Sequence, residues 1–289
     1  MTAQIDTDLS IEDYHSDDIH ISKTDLALML ECPAVYRHYQ DNGKEEQDST
    51  ALVLGNALHT LALEPESFTD RFYVLPETYT NDKGEEKPMR CDKRMQAYQD
   101  CLDEAGERDV LKTSDYEGIA QMAQAIHDDV FANAILSKSG LIESSIFFEH
   151  NGRNMKCRPD FMTDDGLIVD IKTARSAKPQ VFASDAFNRH YDMSVAITEM
   201  GYQQLYGQMP DNYVFIVVEK ESPYLVSCFD CYGVMDDLTG LTYAGIGRDR
   251  TNKALEKLDW CEENNIWPGY VEKIEPMKAP NWAINQWAE

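Results

Sequence analysis

The sequence has no long hydrophobic run. None of its apolar stretches approaches the roughly 20 residues that a membrane-spanning helix requires, so no membrane span is expected. The opening MTAQIDTDLSIEDYH lacks the basic start and apolar stretch of a secretory signal, so a cytoplasmic chain is expected. Closely spaced cysteines are scarce as well. Seven are scattered over 289 residues, and only Cys228-x-x-Cys231 has metal-ligand spacing. A zinc or iron–sulfur site needs about four ligands, and no second close pair supplies them. Reduced, buried thiols are expected instead. Positive charge is also short, with 26 Lys and Arg against 52 Asp and Glu, a net charge of −26. The first fifty residues alone hold twelve acids and three bases. That balance excludes a surface that coats nucleic acid from all sides. A polyanion could be held only by a local basic channel together with bound cations.

What remains is ordinary globular composition, 43% hydrophobic and 27% charged. The length suits one domain, 1–289, with a helical elaboration over about 1–70 and a tail over about 265–289. Residues 1–20 read as irregular and acidic. Ser22 caps a helix running to about Leu30, with Asp25 in its first turn. A short helix follows Pro33, and 41–50 is a polar loop in which Ser49 or Thr50 caps the next helix. That helix, ALVLGNALHTLALE, stops at Glu64-Pro65. Residues 76–94 read as a charged loop, followed by helices over about 92–106 and 114–137. The period then changes to that of strands, at 143–150, 154–163, 166–173, 212–220 and 224–232. A helical insertion spans about 179–209, and an amphipathic helix about 235–264 closes the chain. The order predicts an α/β or α+β sandwich, a central mixed β-sheet flanked by helices.

The chemistry is concentrated in Arg158-Pro159-Asp160 and Asp170-Ile171-Lys172. A three-residue Asp164-Asp165-Gly166 turn between Thr163 and Leu167 sets a hairpin register in which Asp160 faces Asp170. Directly opposed side chains share a face, with Cβ atoms roughly 4.5–5.5 Å apart. Strand alternation puts Lys172 on that face and Ile171 on the apolar one. Two opposed carboxylates repel unless a cation lies between them, and hard oxygen ligands suit Mg²⁺. A lysine two residues on can orient or deprotonate a water, or stabilise charge on a phosphate oxygen. Gly55 sits inside a helix, where glycine is unfavourable, which suggests a close approach by backbone or ligand; His59 follows one turn later on the same face. The alternative is a surface hairpin with an ordinary Asp–Lys pair.

Gly55-x-x-x-His59 running into LALEP, then CRPD, VDIKT and a closing NNIWPGY, resembles the RecE-type exonuclease (exonuclease VIII) branch of the PD-(D/E)xK nuclease superfamily. The entry segment ISKTDLALMLECPAVYRHY extends the likeness over nearly the whole chain. That resemblance implies a PD-(D/E)xK nuclease-like fold and an exodeoxyribonuclease dependent on Mg²⁺, which Mn²⁺ can replace. It also implies a substrate of double-stranded DNA ends, digested 5′→3′ to leave 3′ overhangs for a single-strand annealing recombinase. A ring-shaped homo-oligomer is implied as well. Position by position, His59, Asp160, Asp170 and the Ile171 carbonyl would be metal ligands, and Lys172 the catalytic lysine acting with Asp160 and Asp170. The branch often carries Gln-x-x-x-Tyr on the following helix; here Ser194 stands where glutamine is expected, and Gln203 and Gln204 lie too far along.

Arg158, Arg175 and Lys178, with Arg153 and Lys156, bracket the hairpin and could form a phosphate-binding rim. Arg248, Arg250 and Lys253 read as surface ion-pair partners, and the four tryptophans as core and tail-docking groups. Two other readings stay open. One is another PD-(D/E)xK nuclease, Cas4-like or restriction-type. The other is a non-catalytic acidic mimic of DNA.

Overall fold

The computed structural model describes residues 3–43, 49–236, 238–271 and 273–287. In chain order the first elements are β1 (Gln4–Asp6), α1 (Ile11–Ser16), α2 (Lys23–Glu31), α3 (Pro33–Asn42) and α4 (Ser49–Leu63). A short α5 (Phe68–Arg71) leads into β2 (Phe72–Val74), β3 (Thr78–Thr80), β4 (Glu86–Pro88), α6 (Gln96–Ala105) and β5 (Asp109–Leu111). Then come α7 (Thr113–Asp128), α8 (Val130–Leu136), β6 (Gly140–Ile142), β7 (Ser145–His150), β8 (Arg153–Cys157) and β9 (Phe161–Thr163). The chain ends with β10 (Leu167–Ala174), α9 (Pro179–Asn188), α10 (Tyr191–Tyr206), β11 (Asn212–Glu219), β12 (Val226–Asp230), α11 (Tyr243–Asn264) and α12 (Asn281–Trp287). No helix among the described residues is long and apolar enough to cross a membrane.

The central sheet is mixed and five-stranded, in the order β12-β11-β10-β9-β6. Its β10 and β11 pair in parallel, joined by the crossover through α9 and α10, while the remaining pairs are antiparallel. Period-two alternation divides the buried side chains into two cores. Ile168, Phe215 and Val217 face α10, α11 and α2, whereas Val169, Ile171, Val214 and Ile216 face α4 and α7. The helices therefore flank the sheet on both sides, as expected.

Several local expectations need correction. Of the segment 1–20 expected to be irregular, the described part is not, because β1 joins β7 and Ser10 caps α1 by accepting from Asp13 N. The expected single sheet is two: β1, β7 and β8 form a separate three-stranded sheet. The predicted strand 154–163 is cut at Arg158-Pro159-Asp160, where the chain passes from one sheet to the other. Proline has no N–H to give a ladder, so this is a natural place for strand pairing to stop. The charged loop 76–94 contains the β3–β4 hairpin. The helix over 114–137 breaks at Asp129, whose carboxylate accepts from Phe131 and Ala132 to restart it as α8. The last long helix begins at Tyr243, not 235. Ser22 does cap α2, and Asp25 reaches back to its backbone to complete a capping box. The side chain of Ser49, one of the two candidate caps for α4, lies outside the described residues, as do 44–48 of the polar loop and the side chains of Trp282 and Trp287.

Candidate active site

The hairpin between β9 and β10 has the register expected from its turn, with Phe161 opposite Val169 and Met162 opposite Ile168. Gly166 supplies the left-handed turn residue, φ +90°, and its N–H donates to Thr163 O. Because β9 stops at Phe161, β10 has no backbone partner on that side beyond Val169. The N–H and C=O of Ile171 point to this open edge. Side chains satisfy them instead: Ile171 N donates to Asp160 Oδ2 at 2.6 Å, and His59 Nε2 donates to Ile171 O at 3.0 Å. The sequence thus shortens one strand of a hairpin, and the exposed edge becomes the floor of a site.

Asp160 and Asp170 are both buried and lie within hydrogen-bonding reach of each other. Burial, then the neighbouring Asp170 charge, pushes the Asp160 carboxyl well above the usual carboxylate range. Lys172 Nζ lies 3.0 Å from Asp170 Oδ2. Burial opposes charge on this lysine, but Asp170 and Asp160 outweigh it and hold its pKa above the ordinary lysine value. The remaining expected ligand, His59, comes from α4 on the far side of the sheet. Its Nδ1 lies 3.5 Å from Asp160 Oδ1, and burial followed by the Lys172 charge lowers the pKa of its ring. Ile171 itself turns into the apolar core, leaving only its backbone to the site.

Three participants were missed by sequence reasoning. Glu143 approaches His59 Nδ1 at 4.0 Å, and Arg71 and Arg158 at 3.8 Å each. It adopts a left-handed backbone, φ +42°, and its N–H donates to the Asp160 backbone carbonyl, which ties it to the chain beside that carboxylate. A glutamate read as the start of a strand gives no sign of this. Buried Tyr213, on β11 beside β10, lines the same cavity as Asp170, and burial and then the Asp170 charge raise its hydroxyl. Lys23, just after the α2 cap, lines a cavity of about 330 Å³ together with Asp160, Asp170 and Lys172. Ser194 and Thr198 of α10 line that cavity too, so Ser194 does stand at the site, while Gln204 is turned away to bond Glu149 O.

The expected basic rim is only partly present. Arg153 is spent on Asp259 and Glu262, and the Lys156 ammonium donates to Tyr14 O and Asp17 O. Arg158 borders the site cavity but donates to Leu9 O and Ser145 Oγ. Arg175 and Lys178 are exposed beyond the end of β10. On α11, Arg250 binds fully buried Asp192 and Arg248 binds buried Glu199, so these are not surface pairs; Lys253 with Asp249 is one. At Gly55 no other backbone makes the close approach, since apart from its own helix and chain neighbours no described protein atom lies within 4 Å of where a Cβ would be. Cys228 and Cys231 pack against opposite cores, and burial raises both thiols, Cys228 to about 11. They do not form a ligand pair.

Among the described residues, no three His, Cys, Asp or Glu side chains are already drawn into a metal-binding cluster. The donor chemistry nevertheless fits a hard divalent cation. Two adjoining carboxylates, one of them raised first by burial and then by the charge of the other, are bordered by a backbone carbonyl and an imidazole.

The chain belongs to the family described as PDDEXK-like domain of unknown function (DUF3799), which it matches over residues 22–280. The crystal structure of a "Putative exonuclease" from Eubacterium rectale aligns with 96% of this chain and 97% of its own, at 12% identity and a TM-score of 0.59. That likeness is one of fold. The crystal structure of SSO0001 covers 90% of this chain and 92% of its own at 12% identity, but its TM-score is 0.34. A search of curated proteins finds no match. The family and the fold together support a nuclease of the PD-(D/E)xK type.

Proposed function

We propose that this protein is a divalent-metal-dependent exonuclease acting on the ends of double-stranded DNA. It would digest one strand 5′→3′ and leave 3′ overhangs for a strand-annealing recombinase, as the RecE-type likeness implies. The same likeness supports a ring-shaped homo-oligomer around the duplex. One observation carries the hydrolytic part: the Asp160–Asp170 pair with Lys172 on the next same-face position of β10, at an open sheet edge.

Asp160, Asp170, the Ile171 carbonyl and His59 would hold Mg²⁺, with Mn²⁺ able to replace it. When bound, the ion lowers the pKa of water and offsets charge developing on phosphorus. Lys172 is held protonated by the two carboxylates, which suits it to stabilise a phosphate oxygen rather than to abstract a proton. Tyr213 packs beside Asp170 from the side of β11, and Glu143 sets the position of His59 and Arg158.

The test uses linear duplexes labelled at the 5′ or 3′ end, and closed circles, incubated with Mg²⁺. Progressive loss of the 5′ label with intact circles is expected. Cutting of circles would point to a Cas4-like or restriction-type enzyme. Absence of hydrolysis with any divalent ion would leave a non-catalytic mimic of DNA.

A further inference from the structure

Beyond Lys172, at the carboxyl ends of β10 and β11, lies a second cavity of about 330 Å³. Its wall includes Thr173, Arg175, Asp185, Arg189, Tyr191 and Lys220. Three cations therefore face one carboxylate, in a chain with 52 acids and 26 bases. Topology brings them together. Arg175 and Lys220 each follow the last residue of a strand, and those last residues, Ala174 and Glu219, are partners in the parallel ladder. Arg189 closes α9 as its C-cap. In sheets of this kind, ligands gather outside the carboxyl ends of parallel strands.

The three cations are exposed, and none has a side-chain hydrogen bond or ion pair among the described residues. They differ in this from Arg153 and Lys156, whose charged groups are held by the fold, and from Arg158, whose terminal nitrogen donates to Leu9 O and Ser145 Oγ. Like charges gathered without partners repel, and an anion removes that cost. The cavity also connects to the site already described. Tyr191 lies on its wall, and the same ring has Lys172 Nζ at 5.3 Å and Lys23 Nζ at 5.8 Å. Lys23 Nζ in turn donates to Arg189 O at 3.3 Å. A file of positive groups thus runs from the carboxylate pair out across the sheet ends.

We propose that Arg175, Arg189 and Lys220 bind phosphodiesters of the nucleic-acid strand next to the scissile bond, the strand passing Lys23 and Tyr191. This inference rests on the nuclease reading above. The ligand class is the phosphate backbone, so the contact positions the strand without reading its sequence.

The test compares wild type with Arg175→Gln/Arg189→Gln/Lys220→Gln. Both are titrated with a short 5′-labelled duplex in EDTA over a range of salt, and both are assayed for hydrolysis with Mg²⁺. Each lost phosphate contact lowers the salt slope by roughly 0.7–0.9, so the triple variant is expected to lose about 2–3 from the slope and at least about tenfold in affinity. A second variant, Arg175→Lys/Arg189→Lys, keeps the charges and should keep the slope. A triple variant with the wild-type melting temperature, affinity and slope would overturn the inference while hydrolysis by the wild type upholds the nuclease reading. A wild type that neither binds nor hydrolyses the duplex would overturn both.

Discussion

Two cavities flank the carboxylate–lysine site, and their charges are opposite. The one bounded by the N-terminal segment and α4 has a volume of about 510 Å³ and is lined by seven carboxylates against Arg71, Arg108 and Arg158. Those arginines are occupied: Arg71 by Glu64, Arg108 by backbone carbonyls including Ala105 O, Arg158 by Leu9 O and Ser145 Oγ. The other, beyond Lys172, offers three unpaired cations against Asp185. A net charge of −26 therefore says little about what the site meets. What matters is which cations the fold consumes and which it leaves free, and where the free ones lie relative to the carboxylates. The acidic side repels a phosphate backbone and the basic side attracts it, so the charge that looks adverse in the composition gives the site a direction.

The largest effect expected from breaking this arrangement is at its centre. Lys172→Ala and Asp170→Ala should each lower the hydrolysis rate by about a thousandfold or more, with circular dichroism unchanged; removing a group that stabilises transition-state charge costs this much. Next come the flanks. Arg189→Glu/Lys220→Glu should weaken duplex binding by more than about tenfold, since it inserts two charges of the wrong sign beside a phosphate track. Neutralising Glu107 and Asp109 on the acidic side should strengthen binding by less than about threefold, because charges beyond a Debye length are screened. Equal and opposite effects in the two cavities would reduce the comparison to bulk charge.

Smaller effects concern stability. Gly55→Ala should raise stability by about 1 kcal/mol, measured by denaturant unfolding, because the position is helical and open to solvent. A loss of hydrolysis in the same variant would show that substrate approaches there. The smallest effect involves a cation already spent. Asp17 lies 3.6 Å from Lys156, and although burial raises its carboxyl, hydrogen bonds from Ile19 and His20 outweigh that and lower it below 3.8. Its stabilisation is thus present above that pH and fades as pH falls through the lowered value. Asp17→Asn should cost less than about 1 kcal/mol near neutrality, and the difference from wild type should vanish in acid.

The core of the site was legible because it depends on local rules. A three-residue glycine turn fixes a register, and period two then assigns Asp170, Lys172 and Ile171 to their faces, while Asp160 lies one residue beyond the paired strand. The sequence also shows Ser22 as the cap of α2 and a mixed sheet with a helical insertion between two apolar strands. What was not legible depends on distant parts of the chain. Glu143 reaches His59 only because β6 adds to β9, and Arg250 finds buried Asp192 across two helices. The early strand β1 has no period of its own and exists because β7 offers an edge. Lys220 and Arg175 are 45 positions apart and meet only through the parallel ladder.

A nuclease site of this kind requires the paired carboxylates to hold a divalent ion next to the lysine. Calorimetric titration of Mg²⁺ or Mn²⁺ into wild type and Asp160→Asn/Asp170→Asn addresses this directly. Saturable binding by the wild type that is lost in the double variant is the predicted result. Equal binding by both proteins, or none by the wild type, would contradict it.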